Sequence, residues 1–150
     1  MEKGAVQATT TYVPFSAQMI LNGTGRLLTT ANAIYGQPWV AGGLVVTRTF
    51  GKAHPHAVEA ILRAVLRAEA LIKSNPQLSD TLLAKYSGSP AASIAYSYAH
   101  NLLGLLPLIP NTTDLIKEAS TEATYKVFHG NPQSFLNSWV NPRFAEAVSK

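Results

Sequence analysis

The sequence predicts an α/β fold, rich in helix, with about three short strands gathered toward its N-terminal end. Two observations carry this. Residues 4–13, GAVQATTTYV, and the GLVVT core of residues 39–50 are dense in Thr, Val and Tyr, residue types that suit a pleated strand. After Pro55 the apolar residues recur at helical spacing, and glycines and prolines punctuate them as they punctuate helices.

In chain order, the first strand covers residues 4–13 and is stopped by Pro14. FSAQMILNG, residues 15–23, reads as a short helix with Met19, Ile20 and Leu21 apolar and Gly23 as a left-handed stop. GTGRLLTT, residues 23–30, resumes as a short strand. A loop follows over 32–38, punctuated by Gly36 and Pro38, and then WVAGGLVVTRTF, residues 39–50, as a buried strand.

Helices are expected at about 56–74, 79–87, 90–102 and 113–128, with a short one near 142–149. Ser89-Pro90 places a capping hydroxyl before a first-turn proline. Thr112 or Thr113 caps ahead of Asp114, whose charge suits the helix dipole. Gly88 and Gly130 stand where terminating glycines belong, and Pro76 and Pro132 block continuation. Three strands make too small a sheet to cover these helices, so part of the sheet is expected to be missing.

Composition narrows the function. With 150 residues, 47% of them hydrophobic, one globular unit or one piece of a larger one is the default. The net charge of +4 arises from 12 basic and 8 acidic residues without blocks, which does not point to nucleic acid. The chain has no cysteine, which removes disulfides, thiolate nucleophiles and Cys-type metal sites. The apolar run LLGLLPLI, Leu102 to Ile109, is far shorter than the ~20 residues a membrane span needs. The N-terminal residues lack the basic start and apolar stretch of a signal peptide.

The stretch HPHAVEAILRAVLRAEALIKSNP, residues 54–76, holds the densest chemistry. Val58, Ile61, Leu62, Val65 and Ile72 fall on one helical face, and Glu59, Arg63 and Arg67 occupy the other at steps of four. The acids neutralise the arginines, so a solvated face is favoured over a nucleic-acid contact. His54 and His56 have no third ligand at a recognisable spacing, and Pro55 as the first helical residue, with His54 capping ahead of it, is the simpler account. GTGRLL lacks the third glycine of a dinucleotide fingerprint and the Lys-Ser/Thr of a P-loop. Asp80 and Asp114 pair with no other acid, and His100 and His129 stand alone near helix ends.

The order KGAVQATTTYVPFSAQ, GTGRLL, then GGLVVTRTFGKAHPHAVEAILRAVLRAEALIKSNP resembles the later half of the substrate-binding proteins of nitrate/sulfonate/taurine-type ABC transporters, which include receptors for thiamin-pyrimidine precursors. The resemblance rests on Gly4 to Ala8, Pro14-Phe15, Gly25 to Leu28, Leu44 to Thr47, His54-Pro55 and Asn75-Pro76, and it continues through NPRFAEAV. It departs from the pattern at Gln7, where an aspartate is usual, and at Val13, often acidic.

The resemblance implies a partial type II periplasmic-binding-protein fold. Residues 1–43 would be the end of the second lobe and the hinge, and residues 44–150 the returning C-terminal part of the first lobe. It also implies capture of a small anion or heterocycle between hinged lobes that then dock on a membrane permease, in the periplasm or at the cell surface, with no cofactor. The ligand-binding candidates are Thr10, Thr11, Tyr12, Phe15, Trp39 and Thr47, set against packing roles for Phe15 and Trp39. The absence of cysteine argues against the related thiamin-pyrimidine synthases and so against an enzyme. The alternative is a non-catalytic interaction module, or a domain-swapped homo-oligomer, that has lost ligand binding.

Overall fold

The computed structural model describes residues 3–36, 42–105, 108–109 and 111–149. Among them are nine helices: α1 (Phe15–Leu21), α2 (Ala31–Tyr35), α3 (Arg48–Ala53), α4 (Pro55–Ser74), α5 (Pro76–Ser87), α6 (Ala91–Ala99), α7 (Thr112–Thr124), α8 (Pro132–Trp139) and α9 (Arg143–Val148). There is no strand among the described residues, and this overturns the α/β expectation and its three N-terminal strands.

The reason is that strand propensity measures fit to a paired, half-buried surface and not a backbone preference that acts alone. Residues 25–30 and 42–47 run without helix, turn or ladder, and their apolar side chains lie in solvent: Leu28 is 72% exposed and Val45 78%. The tail of the third expected strand is instead helix α3. Thr47 is its N-cap, its hydroxyl accepting from the Phe50 amide at 3.1 Å, and this local bond replaces a ladder that has no partner.

The chain divides into two compact units, Met1–Thr30 with Ala68–Leu105, and Ala31–Arg67 with Leu106–Lys150, so the boundary falls within α4. In the first unit α1 and α5 both pack on α6. Ala17, Ser93, Ile94 and Ser97 are buried there, and the small side chains let helices approach closely around Ile94. Burying one such isoleucine contributes about 1.5–3 kcal/mol. Ser97 remains buried by donating its hydroxyl to the Ser93 carbonyl at 2.7 Å.

The junction of α4 and α5 shows how two residues do two jobs. The Asn75 amide donates to the Leu71 carbonyl at 2.8 Å, closing α4, while its side-chain oxygen accepts from the Leu78 amide at 3.1 Å, opening α5 with Pro76 in the first turn. At the other end of α5, Gly88 at φ 71° forms the left-handed stop that only glycine adopts freely. Ser89 does not cap α6. That helix has Pro90 at its N-cap, and the Ser89 hydroxyl is buried without a hydrogen-bond partner.

In the second unit the Arg48 guanidinium donates to the Ser138 carbonyl at 2.7 Å, fixing the start of α3 to the end of α8. Gly51 is buried beneath the side chains of Phe144 and Val46. α7 packs on α8, where Leu136 is buried and Phe135 stands between Phe128, at 5.1 Å, and Trp139, at 5.4 Å. Asn111, not Thr112 or Thr113, caps α7, accepting from the Thr113 amide at 3.0 Å. Gly130 is not a stop for α7, which ends at Thr124 with Lys126 in the left-handed region; it precedes Asn131, the cap of α8.

On α4 the face expected to pack is covered unevenly. Val58 is buried, Leu62, Val65 and Ile72 are half-buried, and Ile61 is exposed. Glu59 and Arg63 pair at 3.5 Å on the solvated side. No described helix is long and apolar enough to cross a membrane.

Candidate functional site

Four of the six sequence-derived candidates form one corner of the first unit. Thr10, Thr11 and Tyr12 precede the Val13-Pro14 turn, and Phe15 is the first residue of α1. The Ser16 amide donates to the Tyr12 carbonyl at 3.2 Å and the Gln18 amide to the Pro14 carbonyl at 3.0 Å, so the first turn of α1 holds the corner in place. Both rings face solvent, Tyr12 at 71% and Phe15 at 57% exposed. Phe15 is therefore not the core residue its packing reading requires. The segment carries three hydroxyls, of Thr10, Thr11 and Tyr12, and two exposed aromatic rings, a chemistry suited to a planar or polar ligand and not to a bare metal ion.

Thr47 belongs to the second unit, where capping α3 already uses its oxygen as an acceptor, leaving the hydroxyl proton to donate. Trp39 lies outside the described residues. No group of three His, Cys, Asp or Glu among the described residues could hold a metal; His54 is the C-cap of α3, and His56 lies in the first turn of α4. His56 lies 3.7 Å from Glu59, and the His54 ring packs at 5.0 Å on Phe50. His100 closes α6, its Nδ1 lying 2.9 Å from the Tyr96 carbonyl and its ring stacked on Tyr96 at 3.8 Å.

Sequence reasoning missed one concavity. Ala68, Leu71 and Ile72 of α4 and Ser79, Leu82, Leu83 and Tyr86 of α5 enclose a groove of about 140 Å³ within the first unit. The signal for it was present, since both sets recur at helical three- and four-residue steps. No charged side chain lines it, so it suits hydrocarbon or an aromatic ring and not an anion. In the same unit the Tyr98 phenol is pushed above its ordinary 10.0, first by burial and then by the negative charge of Asp80.

The model of the NMT1-like family matches residues 1–84, a span that runs from the candidate corner through α4 and most of α5. No curated protein and no solved structure matches the chain. The matched span exceeds half of the 150 residues and contains all six ligand-binding candidates, Thr10, Thr11, Tyr12, Phe15, Trp39 and Thr47. The chain therefore belongs to the NMT1-like family, a family of nitrate/sulfonate/taurine-type substrate-binding proteins.

Proposed function

We propose that the chain is part of the solute-binding component of an ABC importer, one that captures a small anion or heterocycle and hands it to a membrane permease. The family match over residues 1–84 carries this reading. The corner of Thr10, Thr11, Tyr12 and Phe15 supports it, since hydroxyls and aromatic faces beside an ordered helix start are groups that bind small planar solutes without covalent chemistry. In this reading the work is done in the periplasm or at the cell surface. It needs no cofactor and makes or breaks no bond in the ligand.

The test is calorimetry and thermal-shift titration of the chain with nitrate, taurine, other sulfonates and thiamin-pyrimidine precursors. A bound solute at a hundredfold its Kd stabilises the folded state by about 2.7 kcal/mol. Tyr12→Ala should weaken that binding without moving the melting temperature of the free chain, because the ring is largely in solvent. A chain that no solute stabilises is not a receptor.

A second reading is favoured by the solvent-facing placement of Leu28, Leu44 and Val45: an interaction module that has given up ligand binding. It requires the titrations to be flat while the chain still associates with a partner.

A further inference from the structure

The groove of the first unit holds one polar group that its surroundings do not explain. Leu71 and Ile72 of α4 line it with Ser79, Leu82, Leu83 and Tyr86, which follow one another at steps of three and four on α5. Asn75 fixes the two walls, its amide bonded to the Leu71 carbonyl and its side chain to the Leu78 amide. Leu71, Ile72, Leu82 and Leu83 are half-buried, so most of the lining is hydrocarbon. Ser79 breaks that pattern, for it is the buried residue of α5 and only 4% exposed. Helical hydroxyls elsewhere in the chain settle on the carbonyl four residues back, as those of Thr81, Ser97 and Ser120 do. No group among the described residues hydrogen-bonds the Ser79 hydroxyl in this or any other way. A buried hydroxyl without a partner is costly, and a molecule that enters the groove and bonds to it recovers that cost. A water would need about two to four polar partners, and the leucines and isoleucine offer none.

We propose that the groove binds a neutral, single-ring aromatic molecule whose one hydrogen-bonding group meets the Ser79 hydroxyl. The volume of about 140 Å³ sets the size, since an apolar cavity of about 150 Å³ takes up benzene. The lack of any charged side chain in the lining sets the charge, because an ion would leave water without a counter-ion to meet it. A rigid ring loses no rotamer freedom on entering, and Tyr86 adds an aromatic surface to the wall. These residues are not those of the Thr10 to Phe15 corner, so the proposal does not rest on the receptor reading, and flat titrations with anions leave it standing.

Titration of the full chain with phenol and with benzene, followed in methyl and aromatic NMR spectra, tests it. Both rings should saturate, with shifts confined to the leucine, isoleucine and tyrosine signals of the groove. Ser79→Ala should lower the ratio of phenol to benzene affinity by about 2- to 10-fold, the loss of one hydrogen bond. Ala68→Leu, at an exposed residue of the lining, should fill the groove and abolish binding of both rings with the helical circular dichroism intact. The proposal is overturned if neither ring saturates, if the shifts spread beyond the groove, or if the ratio is the same in Ser79→Ala. Ring binding that survives Ala68→Leu also overturns it. Shifts of the same methyl signals on dilution without ligand would give the groove to a second copy of the chain and overturn it equally.

Discussion

Asn75 and Ser89 each precede a proline that opens or adjoins a helix, yet their side chains do opposite things. Asn75 accepts from the Leu78 amide, so Asn75→Ala should cost about 1 kcal/mol and lower the denaturation midpoint. Ser89 is buried with its hydroxyl unpartnered, so Ser89→Ala removes a desolvated group and should be neutral or stabilising by up to ~1 kcal/mol. Urea titration of the two variants measures the contrast, and equal losses would return Ser89 to a capping role. Their sequence contexts are nearly alike, and only the local geometry distinguishes them. Tyr98 supplies the pH dependence. Its folded-state pKa lies above 10.0, so its contribution is complete below that pH and is lost as pH rises through the folded value. Among the six tyrosines one should ionise late in an alkaline absorbance titration. Tyr98→Phe should delete that late component, and Asp80→Asn should move it downward.

Helices were legible where the signals were local. The apolar spacing of α4, its end at Asn75-Pro76 and the left-handed Gly88 could be read because each depends on nearby residues, whereas reading Pro76 only as a stop places the start of α5 at 79, three residues late. Helix α8 escaped because Pro132 was read as a stop, although Asn131-Pro132 repeats the Asn-Pro start of α5, with Asn131 accepting from the Ser134 amide at 2.9 Å. The strands failed for a different reason: GLVVT has the residues of a strand, but a strand exists only with a partner, and no periodicity states whether one is present. The aromatic corner was found from the family pattern and not from chemistry, and the groove between α4 and α5 went unread because its residues also read as core. Helix α3 carries its own check. Gly51 sits mid-helix without positive φ, and an added Cβ would meet Phe144 and Val46 at 3.6–3.7 Å, an ordinary contact. Gly51→Ala should therefore stabilise by about 0.4–1 kcal/mol, measured as a higher denaturant midpoint. A loss instead would mean that the segment is not helical.

Each of the two units has its own buried residues: Ala17, Ile94, Ser93 and Ser97 in the first, and Val58, Leu136 and Ala145 in the second. Such cores are small, and a unit with its own core can lose it in its own transition. Trp139 belongs to the second unit, and in a Trp39→Phe background its fluorescence reports on that unit, whereas helical circular dichroism reports on both. Urea unfolding followed by the two signals should consequently give transitions that do not coincide. Side-chain truncation should then separate them further. Ile94→Ala removes a nearly fully buried side chain of the first unit and Leu136→Ala one of the second, and each should cost about 2–5 kcal/mol in its own unit. Leu136→Ala should move the tryptophan transition to lower urea, while Ile94→Ala should leave it in place and lower only the other part of the dichroism change. Helix α4 crosses the boundary without a break, so it is the element through which coupling would pass. If both variants shift both signals together, α4 makes the chain one cooperative body, and the two cores are then two halves of a single fold.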